Sequence, residues 1–146
     1  MTHQETVVWL GGYRRSLLEE RRLRERIAQT RARAEATTKA LCANPAPCGS
    51  RGDRISACIE LLSDYQEQLA ARVEAGEQLR AEIEGAIHAV PGAMQRQVLE
   101  ARYIDGAPWW RIAGRLYISE RWAKELHRRA VNIISERVHA SSPSQR

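Results

Sequence analysis

The stretch that decides the fold runs from Met94 to Ile134 and reads MQRQVLEARYIDGAPWWRIAGRLYISERWAKELHRRAVNII. Its apolar residues recur at helical spacing, and two turn signals divide it into three short helical segments. The first segment ends at Ile104, before the turn dipeptide Asp105-Gly106. The second begins near Pro108, because proline suits the first helical position. This pattern predicts a helix-turn-helix.

The third segment of this stretch is predicted to read DNA. A tight turn at Leu116-Tyr117-Ile118 precedes it, and Ser119 is the expected N-cap. Its expected inward stripe is Ala123, Leu126, Ala130, Val131 and Ile134. The first turns of such a helix reach base edges and phosphates in the major groove. Two arginines of the second helix, Arg111 and Arg115, would hold the DNA backbone. The full set of predicted DNA-binding residues is Arg111, Arg115, Ser119, Glu120, Arg121, Lys124, Glu125 and Arg128.

A set of specific positions links this stretch to a known family: Arg102-Tyr103-Ile104, Gly106, Trp110, Ile112-Ala113, Ser119, Leu126-His127 and Ala130-Val131. The pattern resembles the C-terminal helix-turn-helix of phage transcriptional activators of the RinA/ArpU type, a module similar to region 4 of bacterial sigma factors. The resemblance implies that the helix after Ser119 enters the major groove. The sequence departs from the family at Ala123, where a β-branched residue is usual. Either Trp122 fills that space, or the third helix is slightly rotated.

Two long helical stretches precede this unit. The first, about 7–41, carries an intermittent apolar stripe surrounded by arginines, and its basic face is either ion-paired or bound to DNA. The stripe comprises Leu10, Tyr13, Leu17, Leu23, Ile27 and Ala34. The second stretch, about 54–89, has near-heptad spacing, with Gln66 and Arg80 as polar interruptions that either set the register or are tolerated gaps. Its stripe comprises Ile55, Ile59, Leu62, Leu69, Val73, Gly76, Ile83, Ile87 and Val90.

The break between the two long stretches is ANPAPCGSRG, residues 43–52, after which Asp53 is the expected N-cap. An antiparallel, coiled-coil-like helical hairpin follows from this order. The weaker stripe of the first helix leaves apolar surface for a second chain, so a homodimer is expected. The predicted fold is all-α: a hairpin at 1–90 with frayed residues 1–6, a helix-turn-helix at 91–138 and a disordered tail at 139–146.

Charge is distributed unevenly along the chain. Residues 1–40 hold nine Arg or Lys and five Asp or Glu, residues 41–90 hold four and eight, and residues 91–146 hold ten and five. The positive C-terminal third coincides with the helix-turn-helix, as phosphate binding requires. The opposite signs of the first two segments favour pairing between them.

The sequence contains no pattern that indicates catalysis or the binding of a cofactor or metal. The four histidines are dispersed, no nucleotide-binding or metalloprotease motif occurs, and no enzyme activity, cofactor or metal is expected. The odd set of Cys42, Cys48 and Cys58 favours free thiols, although the spacing allows a Cys42–Cys48 bridge. His127 is expected to pack between helices or to contact a phosphate, rather than to act as a general base. The pair Trp109-Trp110 is expected to pack in the core rather than to stack on unpaired bases. No secretory signal or membrane-spanning stretch is recognisable, so a cytoplasmic location is expected.

Three functions are compatible with this pattern. The favoured one is a sequence-specific, double-stranded-DNA-binding transcriptional regulator, encoded by a phage or prophage. The second is a phage small terminase subunit, because such proteins also join a helix-turn-helix to a helical hairpin and assemble into rings. The third is a sigma-like module that acts through RNA polymerase or another protein partner.

Overall fold

A computed structural model describes residues 1–43 and 49–141, which form six α-helices and no strand. The helices are α1 (His3–Leu10), α2 (Gly12–Ala43), α3 (Gly49–His88), α4 (Ala93–Leu99), α5 (Trp109–Leu116) and α6 (Glu120–Ser141). A π-helical turn, Glu100–Ile104, continues α4 directly. The all-α prediction is therefore confirmed for the described residues.

Contacts between residues divide the chain into two compact units. Unit 1 comprises Met1–Arg15 and Gly76–Arg146, and unit 2 comprises Ser16–Ala75. The sequence-based boundary after residue 90 lies inside unit 1. The physical reason is that the last turns of α3 belong to the unit 1 core, where Ile83, Ile87 and Val90 are fully buried.

Helix α6 is the centre of unit 1. Helices α1, α4 and α5 all contact it, and Arg137 near its C-terminal end donates a hydrogen bond to the Ala89 carbonyl after α3. The predicted inward stripe is confirmed, because Ala123, Leu126, Ala130, Val131 and Ile134 are all buried. Burying one large aliphatic side chain contributes about 1.5–3 kcal/mol, whereas the alanines let neighbouring helices approach closely.

A small apolar core joins α4, α5 and α6. It consists of Val98, Ala101, Ala107, Ile112, Ala123 and Leu126, with Trp109, Leu116 and Ile118 packed around it. The sequence-based expectation that Trp109 packs in the core is therefore confirmed. The same expectation for Trp110 is wrong, because this side chain is 62% exposed. The inward face of α5 has the spacing i, i+3, i+4, i+7, and Trp110 lies outside it. The residues on that face are Trp109, Ile112, Ala113 and Leu116.

Both predicted turns of this region are present. Gly106 has φ +69°, a left-handed conformation that glycine adopts without steric cost. Tyr117 ends α5 in the left-handed region, at φ 54° and ψ 42°, although it is not glycine. Pro108 lies one position earlier than predicted, as the extended N-cap of α5.

The N-terminal residues are ordered, so the prediction of frayed residues 1–6 is wrong. Thr2 and Glu5 form a reciprocal capping box: the Glu5 N–H donates to Thr2 Oγ1 (3.2 Å), and the Thr2 N–H donates to Glu5 Oε2 (2.6 Å). These hydrogen bonds lower the pKa of Glu5. Thr6 is fully buried, and α1 packs against α6. The spacing Thr-x-x-Glu was the local signal for this helix start.

Unit 2 contains the middle of the chain, where α2 and α3 contact each other in an antiparallel order. Glu19 forms an ion pair with Arg72, and farther along α2 Ile27 lies near Gln66 and Leu69. Leu23 and Ile27 are buried, as predicted, whereas Ile59 is 60% exposed and was wrongly placed in the stripe of α3. Steps of three or four residues separate the half-buried positions of α3 in this unit, which are Ile55, Cys58, Leu62, Tyr65, Leu69 and Val73.

Three predicted helix ends differ from the structure. The first long stretch is interrupted at Gly11, between α1 and α2. Helix α3 begins at Gly49, so Asp53 lies inside it and is not its N-cap. Gly52 lowers helix stability by only about 1 kcal/mol and does not forbid the helix. Helix α6 continues to Ser141, beyond the expected end at Val138.

Some expectations lie outside the described residues. These are the proposed Cys42–Cys48 bridge, the proline-containing segment at 44–48 and the tail at 142–146. Cys58 is a free cysteine, as expected.

An aromatic cluster joins the π-helical turn, α5 and α6 in unit 1. A hydrogen bond of 2.6 Å joins Tyr103 Oη to His127 Nε2, and the Trp109 ring meets the His127 ring edge-on at 5.2 Å. Burial, followed by the positive charges of His3 and Arg102, lowers the pKa of His127 to about 4. Burial also raises the pKa of Tyr103 to about 12. Both side chains are therefore neutral at pH 7, and His127 packs in the unit as expected.

We expect Gly106→Ala to lower the free energy of unfolding by about 1–2 kcal/mol, because a left-handed backbone costs alanine that much more than glycine. A Cβ at this position would also collide with the Arg14 guanidinium group. Gly85→Ala is the matched control, since its Cβ meets nothing within 4 Å inside α3 and alanine favours the helix. Urea denaturation measures both variants. Equal stability of the two would contradict the assigned turn.

We also expect the stability of the protein to fall as the pH drops from about 6.5 to 4 because of His127. Its folded-state pKa lies below its unfolded-state value, so the unfolded chain takes up the proton first. The contribution is complete above pH 6.5 and amounts to about 1–3 kcal/mol. His127→Gln should flatten this part of the pH profile of the unfolding free energy, whereas substitution of the exposed His88 by Gln should not. Parallel profiles for the wild type and His127→Gln would refute the assignment.

Candidate nucleic-acid interface

The first turns of α6 present a shallow polar groove of about 530 Å³. Five of the eight residues predicted to bind DNA lie in this groove, and the structure adds Trp122 and Arg129. The lining residues are Ser119, Arg121, Trp122, Lys124, Glu125, Arg128 and Arg129. Four cations and one carboxylate give this face a net positive charge, which suits a polyanionic ligand.

The start of α6 is held by a serine cap. Ser119 Oγ accepts a hydrogen bond from the Trp122 N–H at 3.1 Å, and the Ser119 carbonyl accepts one from the Ala123 N–H at 3.0 Å. The predicted N-cap is confirmed. Because Ala123 is completely buried on the opposite side of the helix, the cap and the core together fix the direction of the groove face.

Glu125 organises two arginines of the groove. It forms a bidentate contact with Arg128, in which Arg128 Nε donates to Oε2 at 3.0 Å and Nη2 donates to Oε1 at 2.8 Å. Arg129 Nε donates to the same Oε1 at 2.8 Å. The hydrogen bonds from Arg128 and Arg129 lower the pKa of Glu125 to about 2 and keep it ionised. Glu125 therefore positions two cations of the groove.

Arg129 and Trp122 are the groove residues that the sequence analysis missed. The Arg129 guanidinium carbon lies 5.3 Å from the centroid of the Trp122 ring, a cation–π contact. The spacings from Trp122 to Glu125 and from Glu125 to Arg129 are three and four residues, which place these side chains on one helix face. Trp122 is 42% exposed and does not fill the space beside Ala123.

Two cations of the groove have no acidic partner within residues 1–43 and 49–141. Arg121 and Lys124 are both exposed and belong to no ion pair in that part of the chain. A ligand can therefore meet their charges without displacing a carboxylate. This distinguishes them from Arg128 and Arg129, whose guanidinium groups are already oriented by Glu125.

The other three predicted residues lie outside the groove lining. Arg115 forms an ion pair with Asp105 at 3.3 Å. The Arg111 guanidinium lies over the exposed Trp110 ring, 5.2 Å from its centroid. Glu120 is exposed in the first turn of α6, where a negative charge interacts favourably with the helix dipole.

No protein family, curated protein or solved structure matches this chain. Within the two described ranges, no group of three or more His, Cys, Asp or Glu side chains is placed to hold a metal ion. In the same ranges, no helix is both long enough and apolar enough to cross a membrane.

We expect Ser119→Ala to lower the free energy of unfolding by about 1 kcal/mol, because the Trp122 N–H loses its acceptor. Ser119→Asp is the matched control, since aspartate caps helices as well as serine does. Guanidinium denaturation followed by circular dichroism measures both variants. If alanine and aspartate gave the same midpoint, the cap would contribute nothing to stability.

Proposed function

We propose that this protein is a sequence-specific, double-stranded-DNA-binding transcriptional regulator. In this proposal α5, the turn at Tyr117 and α6 form a helix-turn-helix, and α6 enters the major groove. The observation that carries it is the groove face of α6, where four cations project from a helix whose opposite face is buried in the core. Such a helix can present its side chains to DNA without rearranging.

The groove residues divide into two chemical roles. Arg121 and Lys124 are free to contact base edges and phosphates. Glu125 of the groove and the exposed Glu120 beside it are proposed to accept from cytosine amino groups. Arg129 keeps its two terminal Nη groups available while Glu125 holds its Nε, which presents a fork suited to a phosphate. Arg111 and Arg115 outside the groove lining, and Ser119 within it, remain proposed contacts to DNA.

The finer features of the fold belong to the same proposal. The antiparallel contacts of α2 and α3 in unit 2 support a helical hairpin. Burial of Ala113, Leu126, Ala130 and Val131 agrees with the resemblance to sigma region 4 and to the RinA/ArpU type of phage activator. We further propose a phage or prophage origin, a cytoplasmic location, no enzyme activity and a homodimer formed through the hairpin.

The proposal is tested by incubating the purified protein with fragmented DNA of its source genome and sequencing the fragments recovered. Enrichment of a short site upstream of an operon is the expected result. An absence of enrichment at moderate salt would overturn autonomous DNA recognition. Binding to a promoter only together with RNA polymerase would favour the partner-dependent module. A closed ring of many subunits in light scattering would favour the small terminase.

On the recovered site, we expect Lys124→Ala and Arg128→Ala each to weaken binding by about 1–3 kcal/mol if they contact bases. Lys39→Ala is the matched control, because it removes the same charge from an exposed position of α2. Fluorescence anisotropy titration measures all three variants. Unchanged affinity for both α6 variants would remove the assigned recognition face.

A further inference from the structure

A second cationic surface lies in unit 2, where the side chains of α2 and α3 border a depression of about 230 Å³. Three arginines and one glutamate line it, together with a glutamine and the buried Leu23. The lining residues are Glu19, Arg22, Leu23, Arg26, Gln68 and Arg72. The guanidinium groups outnumber the carboxylate, so the depression is positively charged although unit 2 as a whole is nearly neutral.

The nearby acidic residues of α2 are already paired with other arginines. Glu19 pairs with Arg72 across the depression, and Glu20 pairs with Arg24 at 3.5 Å. Glu25 pairs with Arg21 at 3.5 Å. Sequence reasoning left open whether the basic face of α2 was ion-paired or bound to DNA. The structure shows that only part of this face is paired.

Arg22, Arg26 and Arg33 belong to the unpaired part, and none has an acidic partner among the described residues. All three are exposed. Their spacings of four and seven residues place them on one face of α2, along about 16 Å at 1.5 Å per residue. We name this row the arginine stripe. Arg31 is unpaired among the described residues as well, but it lies nearly opposite to the stripe around the helix.

The chemistry of the arginine stripe favours a nucleic-acid phosphate backbone as its ligand. Guanidinium forks match phosphate oxygens, and a row of cations matches a polymer of phosphates. A peptide partner or a bilayer interior would require apolar anchors, and Leu23, the one apolar side chain in the depression, is buried.

We propose that the arginine stripe is a second, sequence-independent contact to the DNA backbone, in which Arg22 and Arg26 bind phosphates at the depression and Arg33 extends the row. The choice of DNA as the polyanion rests on the proposed function. The stripe supplies affinity and α6 supplies sequence discrimination, because phosphate contacts carry no base information.

The test is a salt titration of DNA binding by the full-length chain, on a duplex of about 60 base pairs that contains the recovered site and on a scrambled duplex. Arg22→Ala/Arg26→Ala should reduce the slope of log affinity against log salt by about 2, equally on both duplexes, because each lost phosphate contact removes about one counterion. Lys39→Ala/Arg54→Ala is the matched control, since it removes the same charge from exposed positions elsewhere in unit 2. Arg22→Lys/Arg26→Lys should restore most of the slope.

The outcomes separate this proposal from the proposed function. An unchanged slope in the Arg22→Ala/Arg26→Ala variant would overturn the stripe and leave recognition by α6 intact. A reduced slope, combined with unchanged site preference in Arg121→Ala/Lys124→Ala, would support the stripe and overturn recognition by α6. If the slope fell equally in the Lys39→Ala/Arg54→Ala control, the change would reflect net charge alone, and the arginine stripe would be overturned as a specific contact. Binding of the wild type to vesicles of 30% phosphatidylserine but not to DNA would overturn the stripe as a DNA contact.

Discussion

The burial of one face of α6 is the constraint on which unit 1 depends. Helices α1, α4 and α5 reach each other largely through this helix, and its alanines permit their close approach. Because the inward stripe cannot rotate without exposing Leu126, Val131 and Ile134, the outward face is determined at the same time. The polar groove is therefore a consequence of the core.

The groove combines two ways of presenting a cation. Arg121 and Lys124 project freely, whereas Arg128 and Arg129 are held by one carboxylate, and Arg129 also lies against Trp122. Held guanidinium groups lose less conformational entropy when they bind, and free ones adapt to different partners. A surface that contains both kinds can combine fixed phosphate contacts with adjustable contacts to bases.

Unit 2 shows how ion pairing selects among residues of one type. Helix α2 carries eight arginines, of which Arg21 and Arg24 face glutamates at ion-pair distance, whereas Arg22, Arg26 and Arg33 do not. Exposed pairs contribute little stability, typically 0–1 kcal/mol, so this division matters mainly for where positive potential remains. Arg22, Arg26 and Arg33 place that potential along one face of α2, and the unpaired Arg31 lies on the opposite face.

Periodicity and turn chemistry by themselves determined the all-helical class, the inward stripe of α6, the Asp105-Gly106 and Tyr117 turns, and the Ser119 cap. These features depend on residues within one or two helical turns of each other, which a sequence displays directly. The helix start at Thr2 was equally local and was overlooked. Sequence also placed five groove residues correctly on one face, although their binding of DNA stays a prediction.

Tertiary structure alone decided the features that depend on distant residues. Packing against α6 ordered the N-terminal residues, and the shared core assigned the end of α3 to unit 1. The ion pair of Glu19 with Arg72 joined α2 to α3, and burial suppressed the charge of His127. Each depends on which surfaces meet in space, and an amphipathic pattern states only that a face is buried, not what covers it.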